Sequence, residues 1–141
     1  MSPRVLYLSD ELAAQMLGAA ARAFPLECCG LIEGMRVESG WRAAALHQSA
    51  NLAEDPARRF LIDPQRQFDL MRALREGETR IIGCFHSHPN GSPEPSATDR
   101  ANGLESDFLW LIAGGSPEGG FTLKAYLVWD EGSCEVVLRA A

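Results

Sequence analysis

The stretch from Ile81 to Asp99 constrains the fold more than any other part of the chain. Its apolar beginning is typical of a strand, and the strand ends in two histidines that are one residue apart, His86 and His88. Because side chains alternate along a strand, we expect both imidazoles on one face of a sheet, where they can bind one ion. A turn-rich loop with three prolines follows. This loop is expected to bring Asp99 back to the end of the strand.

These side chains are the ligand types of a catalytic zinc site, in which three protein ligands leave a fourth position for water. The sequence therefore predicts a Zn²⁺ site formed by His86, His88 and Asp99. The chain contains only three histidines, and two of them have this spacing, so chance is the weaker explanation. A structural role is also open, because Ser96 and Asp99 have the spacing of a helix capping box. Both roles can hold together.

The order His-Ser-His-Pro, six residues, Ser-x-x-Asp resembles the motif of the JAMM (MPN+) zinc metalloprotease family. In this chain the motif extends without a gap from His86 to Asp99. The segment Pro25–Gly34 resembles a second segment of the family, of the form Pro-x-Glu-x-Cys-Gly-Leu, in which Glu27 is the matching glutamate. Further matches at Asn51, Phe60–Pro64 and Tyr126–Asp130 extend the resemblance over nearly the whole chain.

The predicted strands and helices form a single α/β domain with a mixed sheet, and the resemblance implies the cytidine-deaminase-like arrangement of this family, a curved sheet flanked by helices. It also implies that Glu27 is the general acid/base of the reaction and that Ser96 donates a hydrogen bond to the oxyanion of the tetrahedral intermediate. The residues themselves leave a second interpretation open for each of these two. Glu27 could be an exposed charge at a strand end, and Ser96 could act only as the N-cap of a helix.

For the substrate, the resemblance implies isopeptide or peptide bonds at the C-terminus of ubiquitin or a ubiquitin-like protein. The short span between Asp99 and a strand predicted to begin at Phe108 leaves little room for the insertions of eukaryotic deubiquitinases, so the chain is most similar to stand-alone prokaryotic members. We therefore expect a ubiquitin-like sulfur-carrier protein, or its C-terminal conjugate, as the partner. Its extended Gly-Gly tail is expected to pair with an exposed strand edge.

Two other functions stay open at this point. The same fold occurs in catalytically silent interaction modules, and a DNA-repair-associated family of JAMM-like proteins has a similar metal motif. Every ligand position of the motif is present in this chain, which argues against a catalytically silent module. The net charge of −6 argues against the second, because binding of nucleic acid needs clustered lysine and arginine.

Length and composition predict the number of domains, the cellular location of the protein and the state of its cysteines. A chain of 141 residues fits one domain, predicted over 1–141, and it has no apolar run long enough to span a membrane. The N-terminus lacks the apolar core of a signal peptide, so we expect a cytoplasmic protein. Four cysteines without a Cys-x-x-Cys pair favour reduced thiols. Cys84 shares strand parity with the two histidines, but we expect a buried small hydrophobe there, since a fourth protein ligand would remove the water position.

Hydrophobic periodicity and helix-end signals predict the other elements. Helices are predicted from Ser9 to about residue 24, from Asp63 to 77, and from Ser96 to about 102. In the first helix Leu12, Met16 and Ala20 are expected to face the core, and in the second Phe68, Met71 and Leu74. Strands are predicted over 5–8, 27–37, 41–47, 60–62, 108–113, 121–129 and 134–138.

Overall fold

The computed structural model describes residues 4–103 and 106–141 of the chain. The first three residues, part of the segment from which we inferred that a signal peptide is lacking, are outside this description. The helices are α1 (Asp10–Ala23), α2 (Pro64–Leu74) and α3 (Ala97–Ala101). The strands are β1 (Val5–Tyr7), β2 (Cys29–Val37), β3 (Gly40–Ser49), β4 (Arg80–Pro89), β5 (Leu109–Ser116), β6 (Gly120–Trp129) and β7 (Gly132–Arg139). The short strand predicted over 60–62 is instead a single bridge between Asn51 and Ile62.

All of these strands belong to one sheet, with the spatial order β1-β3-β2-β4-β5-β6-β7. The pairs β1–β3, β1–β7 and β4–β5 are parallel and the others are antiparallel, so the prediction of a mixed sheet in an α/β domain is confirmed. The sheet also closes into a barrel, which was not predicted. Closure depends on β1, where Leu6 lies opposite Trp41 on one side and Leu138 on the other. A three-residue strand carries no local signal of two such distant partners.

Helix α1 covers one face of the sheet. Ser9 is its N-cap, and the Ser9 hydroxyl accepts a hydrogen bond from the Leu12 backbone N–H at 3.1 Å. Leu12, Met16 and Ala20 are buried as predicted. They belong to the main core cluster, together with sheet residues that include Ile32, Phe85 and Leu111. None of the described helices is long and apolar enough to cross a membrane.

A second apolar cluster lies on the opposite face of the sheet, because Cys84, Trp110 and Ile112 alternate with Phe85 and Leu111 along β4 and β5. Phe60, Ile62 and Phe108 pack against this second cluster. Cys84 is buried within it, as predicted. The chain's four cysteines form no disulfide in the part of the chain that the structure describes.

Helix α2 begins as predicted, with Asp63 as N-cap and Pro64 in its first turn. The prediction for its apolar face is wrong, because Phe68 and Met71 are 54% and 56% exposed. Leu70 is its buried residue instead. Helical periodicity identifies candidate faces, but the direction in which α2 lies against the sheet decides which of them is covered.

Candidate metal centre

Strand β4 places His86 and His88 on the same face of the sheet as the second apolar cluster, with their Nε2 atoms 3.0 Å apart. His86 lies opposite Cys29 of β2 and Ile112 of β5, so it is fully buried at the centre of three strands. His88 lies one pleat further on, beyond the start of β2, and is partly exposed. The strand therefore fixes both imidazoles and leaves one of them open to solvent.

Helix α3 supplies Asp99. Its N-terminus is a capping box, in which the Asp99 backbone N–H donates to Ser96 Oγ at 3.0 Å and the Ser96 backbone N–H donates to Asp99 Oδ2 at 2.9 Å. The same Oδ2 lies 3.2 Å from Nε2 of His86 and 3.2 Å from Nε2 of His88. The capping box thus holds the carboxylate in place against the two histidines.

The three ligand atoms form a nearly equilateral triangle, with edges of 3.0, 3.2 and 3.2 Å. Two ligand atoms of a tetrahedral zinc site with bonds of about 2.0–2.1 Å are about 3.3–3.4 Å apart, so the triangle fits one zinc ion with little adjustment. The Ser92 carbonyl oxygen lies 2.9 Å from His88 Nδ1. A carbonyl only accepts, so this bond puts the proton of neutral His88 on Nδ1 and directs the Nε2 lone pair towards the triangle.

Aromatic rings surround His86. Phe60 stacks on it with ring centroids 4.2 Å apart, and Trp110 meets it edge-on at 5.8 Å. The Nδ1 atom of His86 is buried and has no hydrogen-bond partner among the described residues. Packing, rather than a hydrogen bond at Nδ1, therefore orients this imidazole.

Metal ligands must be deprotonated to bind, and the pKa shifts of His86 and Asp99 favour that state. Burial lowers the pKa of His86 by more than the neighbouring Asp99 raises it. Burial would raise the pKa of Asp99, but the hydrogen bonds with His86 and His88 together outweigh it, so that this pKa lies well below its usual range. Burial would lower the pKa of His88, but its bonds with Asp99 and Ser92 raise it overall, so a proton competes with a metal ion for this residue.

Glu27 lies beside the triangle, just before β2, which begins at Cys29 rather than at the predicted position 27. It is 7% exposed, so the alternative of an exposed charge is wrong. Burial raises the pKa of Glu27 to about 7, although the charge of His88 opposes this. A carboxylate with such a pKa can both accept and return a proton near neutral pH. A divalent cation nearby would lower that pKa.

A second set of metal ligands is also conceivable, because the ligand atoms of Glu27, His86 and His88 all lie within 4.8 Å of one another. The triangle with Asp99 is tighter, with edges no longer than 3.2 Å. The atoms of His86, His88 and Asp99 therefore match the spacing of ligands around one ion more closely, and the Glu27 carboxylate lies next to them.

The structure places the five candidate residues from the sequence in one site: Glu27, His86, His88, Ser96 and Asp99. The sequence did not assign Phe60 or Ser92 to this site. Phe60 was part of an apolar run, and such a run does not show that one ring lies on a histidine.

A groove of about 350 Å³ begins at Phe60 and Trp110 and continues past Phe108. A second cavity, of about 340 Å³, shares Phe108 with it and continues along α2. The first of these cavities is lined by Phe60 and Trp110, the two rings that pack on His86.

Comparisons with known proteins show a family match over most of the chain. The family described as prokaryotic homologs of the JAB domain matches residues 9–127. The chain is 32% identical over 114 residues to a desampylase of Haloferax volcanii, covering 80% of this chain and 78% of the relative. It is 25% identical over 126 residues to a CysO-cysteine peptidase of Mycobacterium bovis, covering 89% of this chain and 84% of the relative.

Among solved structures, a protein of Desulfitobacterium hafniense superposes with a TM-score of 0.80 and 27% sequence identity, over 97% of this chain and 93% of that one. The region matched by the family includes Glu27, the whole of β4 and Asp99. The likeness therefore extends across the candidate site as well as the fold.

Proposed function

The chain belongs to the family of prokaryotic homologs of the JAB domain, and from this membership and the geometry of the site we propose that it is a zinc-dependent hydrolase. Its substrate is the isopeptide or peptide bond that follows the C-terminal Gly-Gly of a ubiquitin-like protein of the sulfur-carrier type. The observation that carries the proposal is the convergence of His86, His88 and Asp99 within 3.2 Å, beside the buried carboxylate of Glu27.

His86, His88 and Asp99 would hold the ion. When bound, zinc supplies a Lewis acid that activates water for attack on a carbonyl. Glu27 accepts a proton during the attack and returns it to the leaving amine, as a general acid/base does. Ser96 Oγ accepts from the Asp99 backbone N–H, which leaves its hydroxyl hydrogen to donate to the oxyanion.

Two observations support the substrate class. Two relatives are named a desampylase and a CysO-cysteine peptidase, and these names favour hydrolysis of a bond to a carrier protein. The groove lined by Phe60 and Trp110, the two rings that pack on His86, offers an extended tail a place to bind next to the site. We expected the tail to pair with an exposed strand edge, and β4 offers one at His88, because the pairing of β4 with β2 ends at His86.

Metal analysis tests the ligand set. Protein purified without chelator should carry about one zinc per chain, and His88→Ala should lower the occupancy sharply, because a three-ligand site cannot spare one. Glu27→Gln should keep zinc and lose most of the hydrolysis, since the amide has nearly the same shape but cannot accept a proton. Loss of zinc in Glu27→Gln would instead make Glu27 a ligand. The matched control is Glu118→Gln, at an exposed carboxylate in the β5–β6 turn, which should change neither quantity.

The substrate assay compares three molecules: a Gly-Gly carrier conjugate, the same conjugate with a bulky penultimate residue, and an unrelated unfolded peptide. The bulky variant should lose about 10²-fold in kcat/KM, because it displaces the carbonyl from the reacting groups. Equal cleavage of all three would mean a general peptidase. Absence of hydrolysis by the zinc-loaded protein would support the silent interaction module.

A further inference from the structure

The backbone of Glu27 is outside the sheet. β2 starts at Cys29, and the loop formed by residues 50–62 makes the backbone hydrogen bonds of Glu27 instead. The Glu27 N–H donates to the Pro56 carbonyl at 2.8 Å, and the Glu27 carbonyl accepts from the side-chain amide of Asn51 at 3.0 Å. The next residue, Cys28, is bonded to Ser87 of β4, through its N–H to Ser87 Oγ at 2.9 Å and through its carbonyl to the Ser87 N–H at 3.2 Å. The position of Glu27 itself therefore depends on the loop as well as on this strand.

The side chain of Asn51 is the centre of the loop. Its amide nitrogen donates to the carbonyls of Glu27 and Arg59, at 3.0 and 2.9 Å. Its oxygen accepts from the backbone N–H groups of Ala53 and Leu61, at 3.1 and 3.0 Å. An asparagine amide has two donor hydrogens and two acceptor lone pairs, so its hydrogen-bonding capacity is fully used. All four partners are backbone atoms, so the contacts fix the course of the chain.

Two of these partners, Arg59 and Leu61, are the neighbours of Phe60 on either side. Phe60 is the ring that stacks on His86 at 4.2 Å. One side chain therefore connects the backbone of Glu27 to the segment that covers a histidine of the triangle. The antiparallel bridge between Asn51 and Ile62, and the bond from the Leu52 N–H to the Leu61 carbonyl, close the same loop at its base.

We propose that Asn51 is a positioning residue, which holds the backbone of Glu27 and the residues flanking Phe60 in one fixed arrangement so that the Glu27 carboxylate faces the triangle of His86, His88 and Asp99. The inference rests on the proposed function, in which Glu27 transfers protons. All the hydrogen bonds of Asn51 go to backbone atoms outside the triangle. Asn51 should therefore affect turnover far more than metal binding.

The first test replaces Asn51 in two ways. Asn51→Ala removes all four side-chain hydrogen bonds, and Asn51→Asp keeps the acceptors but loses the donors to Glu27 and Arg59. Both variants should hold about one zinc per chain and lose about 10–10²-fold in kcat, with little change in KM, because a displacement of about 1 Å at a reacting group has effects of this size. Gln15→Glu, the same exchange of an amide for a carboxylate at an exposed site on α1, should match the unchanged protein. A change confined to KM would overturn the proposal.

A double-mutant cycle separates positioning from general stability. If Asn51 acts through Glu27, adding Asn51→Ala to Glu27→Gln should cause little further loss of kcat in the folded, zinc-loaded protein. If Asn51 merely supports the fold, the two losses should multiply, and that result would overturn the proposal.

Hydrogen exchange at the Glu27 amide gives a readout that needs no activity. The bond to Pro56 should open more often in Asn51→Ala, so exchange at Glu27 should be faster while exchange in β5 is unchanged. Unchanged exchange at Glu27 would overturn the inference. A failure of the proposed function would appear separately, as a lack of hydrolysis by the unsubstituted protein, and the exchange rate would still decide whether Asn51 holds Glu27.

Discussion

At the scale of single residues, the Ser96 hydroxyl combines two roles. It caps α3, and so holds Asp99 against the histidines, and in the proposed reaction it donates a hydrogen bond to the oxyanion. Ser96→Ala should lower the free energy of unfolding by about 1 kcal/mol through loss of the cap. It should also reduce kcat by about 10²–10³-fold through loss of the donor.

Denaturant unfolding and steady-state kinetics measure these two effects on the same Ser96→Ala protein. Ser96→Thr keeps a hydroxyl for both roles and is the matched control. Reduced stability with an unchanged kcat would leave Ser96 as a helix cap only.

At the scale of elements, β5 supports the loop that orients His88. A Cβ added at Gly114 would lie 2.4 Å from backbone atoms of Ser92 and Pro93, so the loop can rest on the strand only because position 114 has no side chain. Gly114→Ala should push Ser92 away and break its hydrogen bond with His88 Nδ1. Because such a bond orients a ligand, we expect zinc affinity to fall by about 10–100-fold.

Competition with a chelator measures the affinity of the Gly114→Ala protein. The control is Gly77→Ala, where the nearest atom to an added Cβ is 3.7 Å away. Wild-type zinc affinity in Gly114→Ala would show that the loop does not depend on this close approach.

At the scale of the whole molecule, the candidate zinc site connects α3 to the barrel, because its ligands come from β4 and from the helix. A ligand that binds only the folded state stabilises it by mass action, by about 2.7 kcal/mol when free zinc is 100 times its Kd. Removal of the metal should therefore lower Tm by on the order of 10 °C. Calorimetry with and without chelator measures the shift. The same shift in His88→Ala would place the stabilising metal elsewhere.

The sequence alone determined the local features of this protein. Two histidines on one face follow from the two-residue period of a strand, and the caps at Ser9, Asp63 and Ser96 follow from bonds that span two or three residues. Such signals lie within a few positions of the groups they act on, so a linear pattern contains them. The fold class and the identity of the candidate ligands could therefore be predicted from the order of the residues.

Only the tertiary structure decided the features that join distant parts of the chain. Closure of the barrel needs β1 to pair with both β3 and β7, and the face of α2 that is covered depends on how the helix lies on the sheet. The approach of Glu27 to the histidines, and the role of Asn51 in holding it, rest on backbone bonds to a loop more than twenty residues away. Local periodicity cannot choose among such contacts, because they form only when the whole core packs together.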